Sequence, residues 1–143
     1  MPTQGDRLRC AHASMMVDDL ALSAGFMTAA LGFQTAFGPV EIGAEFTAMT
    51  GTPCGKTLLM QFTHPQDGLT VELVSCVGVP GAGAAMPPLA HIAFTVPDLN
   101  LAIADACAAG ALQLGRVTGF SEGRSVYLRA PGGGVIELEE LFL

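Results

Sequence analysis

Two short apolar runs, AHASMMV at 11–17 and HIAFTV at 91–96, have the length and composition of strands. Each is followed by a turn, Asp18-Asp19 or Pro97-Asp98, in which an aspartate can cap the next helix. The segments LALSAGFMTAAL (20–31) and LNLAIADACAA (99–109) then carry apolar residues at helical spacing. Each helix ends at a glycine, Gly32 or Gly110, where a left-handed C-cap conformation costs least. Beyond that point each half turns strand-like and glycine-rich. Each half also closes on a similar strand, DGLTVELV at 67–74 and GGGVIELE at 132–139.

The two halves are copies of one unit. Residues 11–22 align on residues 90–101 without a gap, and Ala, His, Val, Asp, Leu and Leu coincide at six of twelve positions. The separation from His12 to Glu72 is longer than that from His91 to Glu137, and the surplus falls at 38–56. That stretch is rich in Gly, Pro and Thr and is expected to form an elaborated loop or hairpin. The 143 residues fit one domain, with module one at about 8–76, a Gly- and Pro-rich linker at about 77–89 and module two at about 90–143.

Half of the residues are hydrophobic, which permits a sizeable core, and only 13% are charged. A net charge of -7 with 6 basic residues opposes nucleic-acid binding and leaves no polybasic membrane patch. The apolar stretch at 74–96 is broken by glycines and by Pro80, Pro87 and Pro88, so no membrane span is expected. The first ten residues hold no apolar run of the secretory kind, which points to a cytoplasmic protein. Cys10, Cys54, Cys76 and Cys107 show no paired or zinc-finger spacing and are expected as buried thiols.

Strand alternation gives the candidate chemistry. His12 shares a face with Cys10, Ser14 and Met16, and His91 with Ala93 and Thr95, away from the more hydrophobic side. Glu72 and Glu137 are flanked by Val71/Leu73 and Ile136/Leu138, which turn the opposite way. Four apt groups thus occupy equivalent places in two repeats, and pairing about a pseudo-twofold axis would let them converge. Two imidazoles and two carboxylates suit one divalent Zn, Ni, Co, Mn or Fe better than Cu(I) or Ca. Four such ligands on an octahedral metal leave two adjacent positions for a bidentate substrate, whose oxygen the metal would polarise. A Glu that loosens from the metal could then move a proton at the neighbouring carbon.

The chain from about 8 to 143 resembles the vicinal oxygen chelate superfamily, which includes glyoxalase I, methylmalonyl-CoA epimerase, extradiol dioxygenases and bleomycin- and fosfomycin-resistance proteins. The resemblance rests on His12, on Val17-Asp18-Asp19-Leu20, on Leu31-Gly32-Phe33, and on the closing run Ala130-Pro131-Gly132-Gly133-Gly134-Val135-Ile136-Glu137-Leu138. Ala130 departs from the family's Asp at a turn. The resemblance implies an α+β fold of two βαβββ modules forming an open, barrel-like mixed sheet around a metal and substrate cavity. His12, Glu72, His91 and Glu137 look like the ligand set of glyoxalase I and are close to that of methylmalonyl-CoA epimerase. It further implies a homodimer and a small-molecule carbonyl substrate.

Three activities stay open at this point. One is a metal-dependent lyase or isomerase in which Glu137 or Glu72 transfers the proton and His12 and His91 stay fixed. Another is an Fe(II) dioxygenase of the same fold, and the last is a protein that sequesters a small molecule. Arg124 is the candidate for an anionic substrate group, and Glu45, with Glu41, for a second acid or base from the insertion. His64 is expected in a turn. The many Ala, Met and Phe residues hint at an apolar cavity and an uncharged or aromatic carbonyl substrate.

Overall fold

The computed structural model describes residues 11–50, 55–77, 91–121 and 123–142. Cys10, Cys54 and the expected linker, apart from Val77, lie outside them. Module one runs β1 (Ala13–Met16), α1 (Leu20–Leu31), β2 (Gln34–Glu41), α2 (Gly43–Thr50), β3 (Thr57–Thr63) and β4 (Thr70–Cys76). Module two runs β5 (Ile92–Thr95), α3 (Leu99–Ala108), β6 (Leu112–Gln113), β7 (Thr118–Gly119), β8 (Gly123–Arg129) and β9 (Val135–Leu141).

The fold is α+β, as expected, with two mixed sheets that do not close into a barrel. One sheet has the order β1-β4-β3-β2; the other has β5-β9-β8-β6, with β7 also paired to β8. In each, the first strand of the module lies at the edge, parallel to the last strand. A parallel pair needs a crossover, and α1 and α3 begin those crossovers. The insertion falls in the elaborated connection of the antiparallel β2/β3 pair, as expected, and adds a helix that was not: α2, with Glu45 in its first turn, where a carboxylate favours the helix dipole.

Both predicted helix starts are confirmed. Asp19 accepts a hydrogen bond from Leu22 N at 3.0 Å and Asp98 from Leu101 N at 3.0 Å, so each caps its helix. Gly32 closes α1 at φ 73°, whereas α3 is capped by Ala109, with Gly110 one residue further on at φ 102°. Alternation along the strands then fixes the cores. Met15, Phe62, Val71 and Leu73 pack with Leu20 and Met27 of α1. Val126, Leu128, Ile136 and Leu138 pack with Leu99 and Ala106 of α3. Phe26 of α1 belongs to this second cluster, and Phe33 meets Phe94 edge-on, with ring centroids 5.8 Å apart. The modules therefore share apolar contacts.

The β8–β9 turn locks the modules together. Buried Ser23 donates from Oγ to Pro131 O at 2.8 Å, and the amides of Asp18 and Asp19 both donate to Gly132 O. Gly132 sits at φ 89°, and a Cβ there would run into Ser23 Oγ and Asp19 O, so only glycine fits. The repeat puts Ala102 of α3 where α1 has Ser23. At that place the β3–β4 turn and α3 leave a cavity of about 470 Å³ over Leu31, Phe94 and Leu138.

The cysteines differ from expectation. Cys107 is exposed, and buried Cys76 is disulfide-bonded. Among the described residues no helix is long and apolar enough to cross a membrane.

Removing the module lock is expected to lower stability. Ser23→Ala deletes one buried hydrogen bond, worth about 1 kcal/mol, and should lower the melting midpoint by about 3 °C. Gly132→Ala adds a positive-φ penalty and a clash, together about 2 kcal/mol or more. Thermal denaturation followed by circular dichroism checks both; a Gly132→Ala protein melting with the parent would refute the lock.

Candidate metal centre

His12 and His91 each stand one residue before the edge strand of their sheet, β1 and β5. The parallel register sets Ser14 beside Glu72 and Ala93 beside Glu137. Because the modules repeat, each His meets the Glu of its own last strand. His12 Nε2 lies 3.5 Å from Glu72 Oε2, and His91 Nε2 lies 3.1 Å from Glu137 Oε2. Both pairs project from the sheet face that α1 and α3 leave bare, opposite the Val71/Leu73 and Ile136/Leu138 core.

Each carboxylate has a second polar partner. Gln61, directly across from Glu72 on β3, donates from Nε2 to Glu72 Oε2 at 3.0 Å, and Ser14 Oγ donates to Oε1 at 3.4 Å. Tyr127, directly across from Glu137 on β8, donates its hydroxyl to Glu137. Its ring meets the His91 ring at right angles, with centroids 4.8 Å apart. Partial burial, then the negative charge of Glu137, then the hydrogen bond itself raise the Tyr127 pKa above its ordinary 10.0. The phenol therefore stays a proton donor at neutral pH. Strand alternation already set Ser14 beside His12, but its bond to Glu72, and Gln61 and Tyr127 altogether, escaped the sequence, because cross-strand register is not written in spacing along the chain.

Two donors that share one metal at bond lengths near 2.0–2.2 Å stand about 3 Å apart. The nitrogen–oxygen separations of both pairs fit that spacing, and neutral imidazole with carboxylate is a fitting donor set. The hydrogen bonds to Glu72 and Glu137 are of the kind that orient metal-binding carboxylates. Among the described residues, no three His, Cys, Asp or Glu side chains gather in a group that could hold a metal. The chain thus brings His12 to Glu72 and His91 to Glu137, but holds the two pairs apart.

The remaining candidates take no part in either pair. Arg124 also lines the cavity beside Glu137, but its guanidinium pairs with Glu140 at 3.3 Å. Glu140 also accepts from Leu99 N at 2.7 Å at the start of α3. That backbone bond first, then Arg124, holds its carboxyl below the ordinary 4.5. Glu45 stands exposed on α2 and takes no part in either His/Glu pair, and Glu41 is exposed at the end of β2. His64 is in the β3–β4 turn as expected, edge-on to Phe33 at 5.0 Å. A cavity of about 240 Å³ opens beside the second pair, lined by Tyr127, Glu137, Glu139, Ser125 and Phe120.

Residues 11–127 match the family model of the glyoxalase/bleomycin resistance protein/dioxygenase superfamily. The chain belongs to that superfamily. Among curated proteins none matches the sequence. The fold is similar to that of a glyoxalase family protein from Bacillus cereus, at 21% identity over all of both chains and a TM-score of 0.77. A glyoxalase/bleomycin resistance protein/dioxygenase domain from Frankia sp. is 19% identical, with 94% of this chain and 93% of that one covered and a TM-score of 0.68. A variant of the fosfomycin resistance protein FosX from Listeria monocytogenes is 17% identical, with 94% and 91% covered and a TM-score of 0.65. That FosX structure carries Mn(II) and 1S,2S-dihydroxypropylphosphonic acid. The superfamily expected from the motifs, the vicinal oxygen chelate group, is thereby confirmed, and it includes metalloenzymes such as FosX.

Tyr127 is the single tyrosine and the chain has no tryptophan, so an alkaline titration read by tyrosinate absorbance follows this site alone. Its midpoint is expected above 10.0 and should fall toward that value in Glu137→Gln. An unchanged midpoint would break the Tyr127–Glu137 link. Glu140 stabilises the fold above the ordinary carboxylate pKa, and that contribution is lost as pH falls through its lowered native value. Acid unfolding of Glu140→Gln should therefore show a smaller loss of stability below about pH 4.5 than the parent shows.

Proposed function

We propose that this protein is a metal-dependent lyase or isomerase of glyoxalase type. It would bind the vicinal oxygens of a small carbonyl compound and transfer a proton at the carbon α to the carbonyl. The observation that carries this reading is the pair of His/Glu contacts at 3.1 and 3.5 Å, placed equivalently in two repeats. His12, Glu72, His91 and Glu137 would hold one divalent ion of Zn, Ni, Co, Mn or Fe. The separation of the pairs within one chain, each with its histidine at a sheet edge, favours a site completed in a homodimer. There the His12–Glu72 pair of one copy would face the His91–Glu137 pair of its partner.

When bound, the metal supplies Lewis-acid polarisation of the substrate oxygens. The chain's own residues do the rest. His12 and His91 fix the donor geometry, and Gln61 and Ser14 restrain Glu72. Glu137 has the freer carboxylate, held by Tyr127 and His91, and takes the proton from the α carbon before returning it to the adjacent position. The phosphonate that FosX carries is anionic. The cavity beside Glu137 also bears Glu139, and its Arg124 is tied to Glu140, which opposes such an anion.

Elemental analysis of tag-free protein prepared without chelators should find close to one divalent metal per chain. His91→Ala should lose at least 90% of it while keeping its far-ultraviolet dichroism (a direction set by losing one of four ligands). Glu137→Gln should lower turnover by about 100-fold or more with part of the metal retained. Full occupancy in His91→Ala would sink the site. Iron with substrate-dependent oxygen uptake would move the protein to the dioxygenases. A protein that cannot be loaded with metal would be a sequestering module instead.

A further inference from the structure

The bare face of the second sheet carries more than the His91–Glu137 pair. A second cavity of about 370 Å³ adjoins the one beside Glu137, and Phe120, Ser125 and Tyr127 line both. The two therefore share a wall, with carboxylates on one side of it and apolar side chains on the other. Leu114, Val126 and the Phe120 and Tyr127 rings bound the apolar end, and Arg116 and Thr118 supply its polar side chains besides Ser125. Thr118 Oγ1 is already used, donating to Arg116 O at 3.0 Å.

Phe120 and Leu114 are 56% and 38% exposed, although each is a large apolar side chain. Their positions are not those of loose loop residues. Phe120 N donates to Gly123 O at 2.7 Å, and Leu114 N donates to Tyr127 O at 3.0 Å. Backbone bonding thus holds two apolar side chains out beside a ring that itself touches the candidate metal ligands. An exposed apolar wall joined to a few convergent polar groups is the usual composition of a small-molecule site.

Charge decides which small molecule. Glu137 and Glu139 give the neighbouring cavity an acidic lining, and the guanidinium of Arg124 is spent on Glu140. A tail with several phosphates or carboxylates would meet repulsion there, with Arg124 already paired and, among the described lining residues, Arg116 left as counter-charge at the far end. An uncharged planar tail instead covers Phe120 and Leu114 and stacks against Tyr127.

Resting on the proposed metal chemistry for its polar end, we propose that the substrate is an uncharged aromatic ketone or aldehyde with adjacent oxygens. Its ring lies between Leu114, Phe120 and Tyr127 while its oxygens face Glu137. Phe120 is the residue that sets this preference.

The test is isothermal titration with 2-hydroxyacetophenone and with hydroxyacetone, which present the same adjacent oxygens with and without the ring. Each is titrated into the full chain, once metal-loaded and once in chelator. The aromatic compound should bind at least tenfold more tightly, and Phe120→Ala should cut that preference at least fivefold without altering hydroxyacetone binding. Phe120→Leu, which keeps an apolar wall, should restore part of it. A Phe120-dependent preference that persists in chelator in a protein that takes no metal would uphold the pocket and remove only the metal chemistry. Equal binding of the two compounds, or a preference that Phe120→Ala leaves untouched, would overturn the pocket whatever the metal content.

Discussion

The parallel pairing of each module's first strand with its last is the constraint on which everything else depends. It sets Ser14 against Glu72 and Ala93 against Glu137, and so carries each histidine to a carboxylate far away in sequence. It also obliges the chain to cross over between the paired strands, which is what lays α1 and α3 on one face of each sheet. With that face filled by Val71, Leu73, Ile136 and Leu138, the polar alternates have only the other face to occupy. Core and site are thus two sides of one register, and a slip of one residue would exchange them.

The repeat is imperfect in ways that have structural consequences. Ser23 and Gly132 let the second module's turn close onto α1, while Ala102 at the matching place in α3 leaves a cavity instead. The partners of the two glutamates differ as well. Amide and hydroxyl donors from Gln61 and Ser14 hold Glu72, whereas Glu137 has a phenol whose pKa is raised. Two copies of one module have therefore become chemically unequal, with the more enclosed carboxylate in the first and the cavity-lining one in the second.

Within one chain the two His/Glu pairs stay separate, and each histidine directly precedes an edge strand, β1 or β5. The superfamily to which the chain belongs supplies the scaffold, and a scaffold alone does not fix a reaction. In this chain the surroundings of the second pair are one tyrosine, a second glutamate and an apolar wall built by Leu114 and Phe120.

Much of this was legible along the chain. The matched frames at 11–22 and 90–101 gave away the repeat and both aspartate caps, and the closing strands at 67–74 and 132–139 put Glu72 and Glu137 in equivalent places, because these depend on local propensity and period. The helix α2 escaped notice, since its Gly- and Thr-containing sequence has weak local preference and packing on β3 selects it. Arg124 looked available as a lone cation, yet Glu140 takes it, a pairing made by strand register. Gln61, Tyr127 and Phe120 carried no signal, because their neighbours are brought to them only by folding. Sequence by itself determined the two equivalent His and Glu positions and which face each would share. Tertiary structure decided which of them meet, because contacts between strands are set by register and by which face the helices cover.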